Sequence, residues 1–190
     1  MSENYRAAVV GCGFIGAADQ VSGTAIGQQD ENLDGTHFGA LSGHPKIDLV
    51  AGSSRDEGRR ERFKERAGVR VYADWKKMLE EENLDIVSVA TYAPSHAEIS
   101  IGCAQAGVRG VYCEKPIANR VSDADDMLST CEQNGTHLVI NHNRRYNPNG
   151  KATQERIASG DLGDLTSVNL QWATGRTGGV GTHIIDAMCM

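Results

Sequence analysis

An apolar run at residues 5–11 (YRAAVVG) opens directly into Gly11-Cys12-Gly13-Phe14-Ile15-Gly16. This junction constrains the fold more than any other stretch. A short buried strand must end in a turn tight enough to need Gly11, and a helix must begin so close to the strand that position 16 carries no side chain. Between them, Gly13 lets the backbone approach a pyrophosphate, while the helix start offers unpaired N–H groups to it. Gly11, Gly13, Phe14, Ile15 and Gly16 are therefore the candidate phosphate-contacting set. A purely structural glycine turn is the competing reading, since the chain holds 22 glycines. Placement at the head of a strand–helix series favours the dinucleotide reading.

That series continues along the chain. Apolar runs at 47–53 (IDLVAGS), 69–72, 85–90 (DIVSVA), 109–113 and 137–141 (HLVIN) predict strands. Helix-period stretches separate them at 56–67, 74–82, 94–106 and 122–133, closed by Gly68 and Gly107 where the chain must turn left-handed. Asp74 is the expected N-cap of its helix, Pro94 sits in a first turn, and Ser122 with Asp125 three residues on makes a capping-box variant. Strands of four to seven residues alternating with longer helices mean βαβ units and a parallel sheet covered on both faces. Right-handed crossovers make this an α/β fold with a doubly wound parallel sheet, assigned to residues 1–143. The polar stretch 19–34 (DQVSGTAIGQQDENLD) breaks the rhythm. It predicts an inserted surface loop that clips the first helix to 14–18 and leaves a second helical piece near 36–42.

Beyond residue 143 the pattern changes. A helix over 148–159 and a turn at Gly160 precede an alternating stretch, 165–174 (LTSVNLQWAT), which predicts a half-exposed antiparallel strand. Thr182 is the expected cap of a helix over 183–190 that runs off the end of the chain. One strand and one helix build no independent layer, so 144–190 is expected to be the truncated start of a second, α+β domain.

Composition removes several functions. With 25 acidic against 19 basic residues and a net charge of −6, no broad basic face is available for nucleic acid. No apolar run approaches the roughly 18–20 residues of a membrane helix, and the N-terminus lacks a secretory pattern. The five cysteines show no C-x-x-C or Cys/His metal spacing, so reduced thiols, a cytoplasmic location and no metal site are expected. G-x-S-x-G, H-E-x-x-H and G-K-[ST] are absent, which removes the residues of serine hydrolases, zincins and P-loop proteins.

Four further strings carry chemistry. At the end of the second strand, where an NAD site would place a carboxylate, stands Ser53-Ser54-Arg55. A hydroxyl and a guanidinium receive a 2′-phosphate that a carboxylate would repel, so Ser54 and Arg55 put NADP(H) ahead of NAD(H). Cys113-Glu114-Lys115-Pro116 follows the fifth strand, at the sheet edge where open α/β sheets bind ligands. Thr91-Tyr92-Ala93-Pro94-Ser95-His96 follows the fourth, with Thr91, Pro94 and His96 facing a nicotinamide side. Gly181-Thr182-His183-Ile184-Ile185-Asp186 sets His183 and Asp186 on one helix face, and a neutral imidazole suits proton transfer from an alcohol.

Taken together, GCGFIG, TYAPSH, CEKP, HNRRYNP and GTHIID resemble the Gfo/Idh/MocA oxidoreductases, the group of glucose–fructose oxidoreductase and inositol dehydrogenase. The resemblance implies an N-terminal Rossmann domain and a C-terminal domain on a large, mostly antiparallel sheet. It implies hydride transfer between a nicotinamide cofactor and a sugar, polyol or related carbonyl or alcohol. Lys115 would bond substrate and nicotinamide ribose beside Glu114, the Lys115–Pro116 peptide would be cis, and His183 would be the acid/base with Asp186 nearby. Relatives continue through a substrate wall that commonly forms the oligomer interface, which implies a homo-oligomer at full length. Many members carry a carboxylate two residues before the Gly of G-x-H, where this chain has Gly179. That departure keeps a second reading open, a non-catalytic dinucleotide-binding or sensing module.

Overall fold

Strand β1 (Tyr5–Val10) occupies the middle of the sheet because its second half is wholly apolar: Ala7, Ala8 and Val9 have no exposed surface. The computed structural model describes residues 4–27, 35–172 and 177–189. After β1 come α1 (Phe14–Ala17), α2 (Gln20–Ala25) and α3 (His37–Ser42). The βα alternation then proceeds through β2 (Ile47–Ser53), α4 (Glu57–Ala67), β3 (Arg70–Tyr72), α5 (Trp75–Glu81), β4 (Ile86–Val89), α6 (His96–Gln105), β5 (Gly110–Cys113), α7 (Val121–Gln133) and β6 (His137–Ile140). The six strands lie in the order β3-β2-β1-β4-β5-β6. β1 pairs in parallel with both β2 and β4, β2 with β3, and β4 with β5. The order reverses at β1, so the crevice beyond the carboxyl ends of β1 and β4 is the switch point at which such sheets hold ligands.

Helices cover both faces, and the central strands β1, β2 and β4 are buried over their C-terminal halves, where the apolar runs lie. On one face Phe38 and Phe63 meet edge to face, ring centroids 5.8 Å apart, over Ala7, Val9 and Cys12. Four of the five cysteines are buried, and burial pushes the Cys12, Cys103 and Cys113 thiols up to about 12, which makes them packing groups. Among the described residues no helix is long and apolar enough to cross a membrane.

The structure corrects several expectations. Residues 28–34 of the polar stretch lie outside the described residues, but its first part is no loose loop. Asp19 is buried, accepts from the Ser22 N–H and hydroxyl, and caps α2. A local cap plus a distant cation overrides the poor apolar period. Ser122 is not a cap either: α7 begins at Val121 behind an extended Arg120, which leaves Ser122 inside the first turn. Asp74 does cap α5, accepting from the Lys76 N–H.

Contacts divide the chain into two units, Met1–Val139 and Ile140–Met190. In the second, α8 (Pro148–Ala158) is capped by Asn147. Residues 165–172 carry no strand, because no described segment pairs with their backbone, and residues 173–174 of that expectation lie outside the described residues. A π-helical turn, Thr177–Gly181, runs straight into α9 (Thr182–Met188). Gly181 is therefore already helical, and the Thr182 hydroxyl donates to the Gly179 carbonyl instead of capping. The helix ends within the chain, at a Cys189 cap.

Asp19 ties α2 to α4: Arg62 donates to its two oxygens at 2.7 and 2.9 Å. Burial alone would raise this carboxyl, but the bonds from Arg62 and Ser22 outweigh it and hold it down to about 2. A depressed folded-state value stabilises the fold above the unfolded value and is lost as pH falls toward the folded one. Asp19→Asn keeps the capping oxygen and removes the charge, so it should cost about 2 kcal/mol at neutral pH in urea unfolding. The gap between variant and parent should close as pH drops from about 4 toward about 2. A gap independent of pH would assign the loss to packing.

Candidate functional site

The glycine turn after β1 threads between the ends of two neighbouring strands. The Gly11 N–H donates to the Ser53 carbonyl at 2.8 Å, and the Ala90 N–H donates to the Val10 carbonyl at 2.8 Å. Gly11 has φ +105°, and a Cβ there would stand 2.5 Å from the Ala90 oxygen. A Cβ on Gly16 would collide with the Gly11 carbonyl and lie 2.9 Å from the Ala90 Cβ. Both positions are glycine because the fold leaves no room for anything else. Gly13 differs: its backbone is extended, and the nearest atom to an added Cβ is an Arg59 guanidinium nitrogen at 3.8 Å. Packing does not require glycine there. The space beside Gly13 is what a phosphate approaching the backbone would use. Within the same motif the Phe14 side chain is buried and Ile15 is half-buried.

One wall of this space is cationic. Arg60 donates to the carbonyls of Ser54 and Arg55 at 2.7 and 2.9 Å, which shapes the loop leaving β2. Ser54 is half-buried and Arg55 exposed. Asp56 caps α4 by accepting from the Arg59 N–H at 2.8 Å, and this first turn sets the Arg59 guanidinium beside Gly13. Sequence reasoning missed Arg59. Its signal was present in Asp56-x-x-Arg59, a cap and its third residue just after the strand.

The opposite wall is built from the ends of β4 and β5. The Ser95 hydroxyl bridges the Thr91 hydroxyl at 2.8 Å and the Tyr92 carbonyl at 2.9 Å, with Pro94 exposed in a 3-10 turn. His96 is 1% exposed, and its ring nitrogens lie 3.0 Å from the Thr91 carbonyl and 2.9 Å from the Pro116 carbonyl. It packs between the two loops, and a neutral ring with one N–H donates to one of these two carbonyls. The Lys115–Pro116 peptide is cis, Lys115 is half-buried, and Glu114 is buried against His37 at 3.0 Å. His37 was invisible to motif reading because a polar insertion separates it from the glycine turn.

In the second unit, His183 and Asp186 share α9 as the spacing predicts. Asp186 is buried, and Arg145 grips one of its oxygens through two nitrogens at 2.8 and 2.7 Å. The other oxygen faces His142 Nδ1 at 3.7 Å, both shielded from solvent and not hydrogen-bonded. The His142 and His183 rings stand edge to face, 6.1 Å apart. Arg145 is thus the anchor of this acidic group, an Asp186 partner that sequence spacing could not assign. Among the described residues no three His, Cys, Asp or Glu side chains converge on a metal position.

Comparisons with known proteins agree with the fold that carries these residues. The family described as an oxidoreductase family with an NAD-binding Rossmann fold, Gfo/Idh/MocA, matches residues 5–142. D-apiose dehydrogenase of Paraburkholderia graminis is 30% identical over 85% of this chain and 38% of its own length. Myo-inositol 2-dehydrogenase of Thermotoga maritima is 34% identical over 60% of this chain and 34% of its own. Among solved structures, the WlbA dehydrogenase of Bordetella pertussis, in complex with NADH and UDP-GlcNAcA, superposes with a TM-score of 0.69 at 26% identity, over 85% of this chain and 44% of that one. The chain therefore spans less than half the length of each of these relatives.

The two kinds of glycine separate by experiment. Gly16→Ala should lower unfolding stability by about 1–3 kcal/mol through overpacking, whereas Gly13→Ala should stay within about 0.5 kcal/mol of the parent. Urea denaturation measures both. Equal losses would show that the fold itself needs the space beside Gly13.

Proposed function

The chain belongs to the Gfo/Idh/MocA oxidoreductase family, with its NAD-binding Rossmann fold, and on that premise we propose that it serves a nicotinamide-dependent dehydrogenase or reductase of sugars, polyols or related alcohols and carbonyls. The observation that carries this reading is the space held open beside Gly13, where the fold itself has no use for a missing side chain. The bound nicotinamide supplies the acceptor or donor of a hydride. The chain's own residues do the rest.

The turn from Gly11 to Gly16 receives the pyrophosphate on backbone N–H groups, with Arg59 as a neighbouring cation. Ser54 and Arg55 take the 2′-phosphate of NADP(H), and the absence of a carboxylate at this point supports NADP(H) over NAD(H). The Thr91–Pro94 turn borders the nicotinamide end, held in place by His96. Lys115 would donate to the nicotinamide ribose, with Glu114 behind it. His183 takes the substrate hydroxyl proton on a ring nitrogen in oxidation and returns it in reduction. Asp186, fixed by Arg145, lies 3.7 Å from the His142 ring nitrogen of the same unit.

Fluorescence titration with both reduced cofactors tests the first half. NADPH should bind more tightly than NADH, and Arg55→Ala should erase about a tenfold preference. Gly13→Ala should weaken both cofactors while leaving the fold intact. Tighter NADH binding would remove the 2′-phosphate assignment, and no binding of either would remove the cofactor site. For turnover, a panel of sugars and polyols followed by nicotinamide absorbance should yield a substrate. His183→Asn should then lower kcat/KM by about 10²-fold or more, as loss of a positioned acid–base group does. Unchanged turnover in that variant would defeat the His183 assignment.

A further inference from the structure

We propose that His37 is a positioning residue for Lys115, acting through Glu114, so that a buried imidazole on α3 sets the geometry of the nicotinamide end of the site. The proposal rests on the cofactor reading above. It starts from burial: His37 is 2% exposed, Ser88 0% and Glu114 9%. Three polar side chains from α3, β4 and the end of β5 meet where apolar contacts would pack a helix on a sheet at lower cost.

Chemistry fixes how they connect. Glu114 Oε1 lies 3.0 Å from His37 Nε2, and in the proposed arrangement Glu114 is the ionised acceptor and Nε2 carries the proton. His37 Nδ1 is then an acceptor, and its contact is the Ser88 hydroxyl, which donates to it. Tyr112 packs against the ring at 4.9 Å and an angle of 38°. Both ring nitrogens are thereby satisfied, and one tautomer and one ring orientation are selected. Ser88 has no exposed surface, so this Ser-His-carboxylate order holds no accessible nucleophile.

The chain of bonds ends on the functional lysine. Glu114 Oε2 accepts from the Lys115 backbone N–H at 3.2 Å. On the far side of Lys115, the Pro116 carbonyl meets buried His96 at 2.9 Å. The two residues that flank Lys115 are thus each held by a buried imidazole, one from α3 and one from α6. A backbone fixed on both sides sets the point from which the lysine side chain projects, which is how a supporting layer pre-organises a contact.

The test replaces His37 in the chain as it stands and titrates two ligands, NADPH and ADP. ADP fills only the adenine half and never reaches Lys115. His37→Leu should weaken NADPH by about tenfold, the scale of a lost hydrogen bond to a charged group, and leave ADP unchanged. His37→Gln, whose amide can donate to Glu114 in place of Nε2, should recover NADPH affinity to within about threefold. Circular dichroism at the titration temperature confirms that the variants are folded. Should His37→Leu not fold, Ser88→Ala frees the ring from its second partner and should weaken NADPH but not ADP. Equal loss for both ligands, no rescue by Gln, or unchanged NADPH affinity in His37→Leu and in Ser88→Ala would each overturn the proposal. Failure of the parent chain to bind either ligand would overturn the cofactor reading instead.

Discussion

At the end of β1 the backbone packs against backbone, and the rest of the first unit is arranged around that contact. Gly11 lies under the Ala90 carbonyl and Gly16 against Gly11 and Ala90, with no side chain to keep the segments apart. This close approach brings the ends of β2 and β4 to either side of one turn at the point where the strand order reverses. The cationic wall of Arg59 and the paired loops at Thr91 and Lys115 stand where they do because the strands that carry them converge there. A single methyl group at position 11 or 16 would move all three.

Buried acids supply a second ordering principle. Asp19 meets Arg62, Glu82 meets Arg6 and Arg70, Glu114 meets His37, and Asp186 meets Arg145. An unpaired buried carboxylate would be costly, so each partner specifies which element must lie alongside which. Glu82 also accepts from the Tyr72 hydroxyl, and burial with that bond pushes the phenol up to about 12. Asp19, Glu82 and Glu114 pin peripheral elements onto the sheet unit, and Asp186 fixes α9 within the second unit.

Legibility followed the range of the interaction. The strands were readable because burial on both faces selects unbroken apolar runs, and the Asp74 cap because its bond reaches only two residues. Ser122 and Thr182 misled because a capping residue is defined by where the helix actually begins. A start one residue early at Val121, or a π-turn feeding α9, removes the vacancy that a cap would fill. The α2 helix escaped notice since half of what holds it is Arg62, 43 residues away. His37 lies 77 residues from Glu114, with an insertion before it that erases any fixed offset from the glycine turn.

By itself, then, the sequence determined the alternating α/β architecture and the glycine turn that follows its first strand. Those properties depend on periodicity, on missing side chains and on bonds a few residues long, all local to the chain. Only the tertiary structure decided that packing does not require glycine at position 13, that Arg59 lies beside the turn, and that His37 and His96 meet the residues on either side of Lys115. Each of these depends on which distant strands become neighbours. A one-dimensional pattern does not encode that pairing until burial and hydrogen bonding in three dimensions select it.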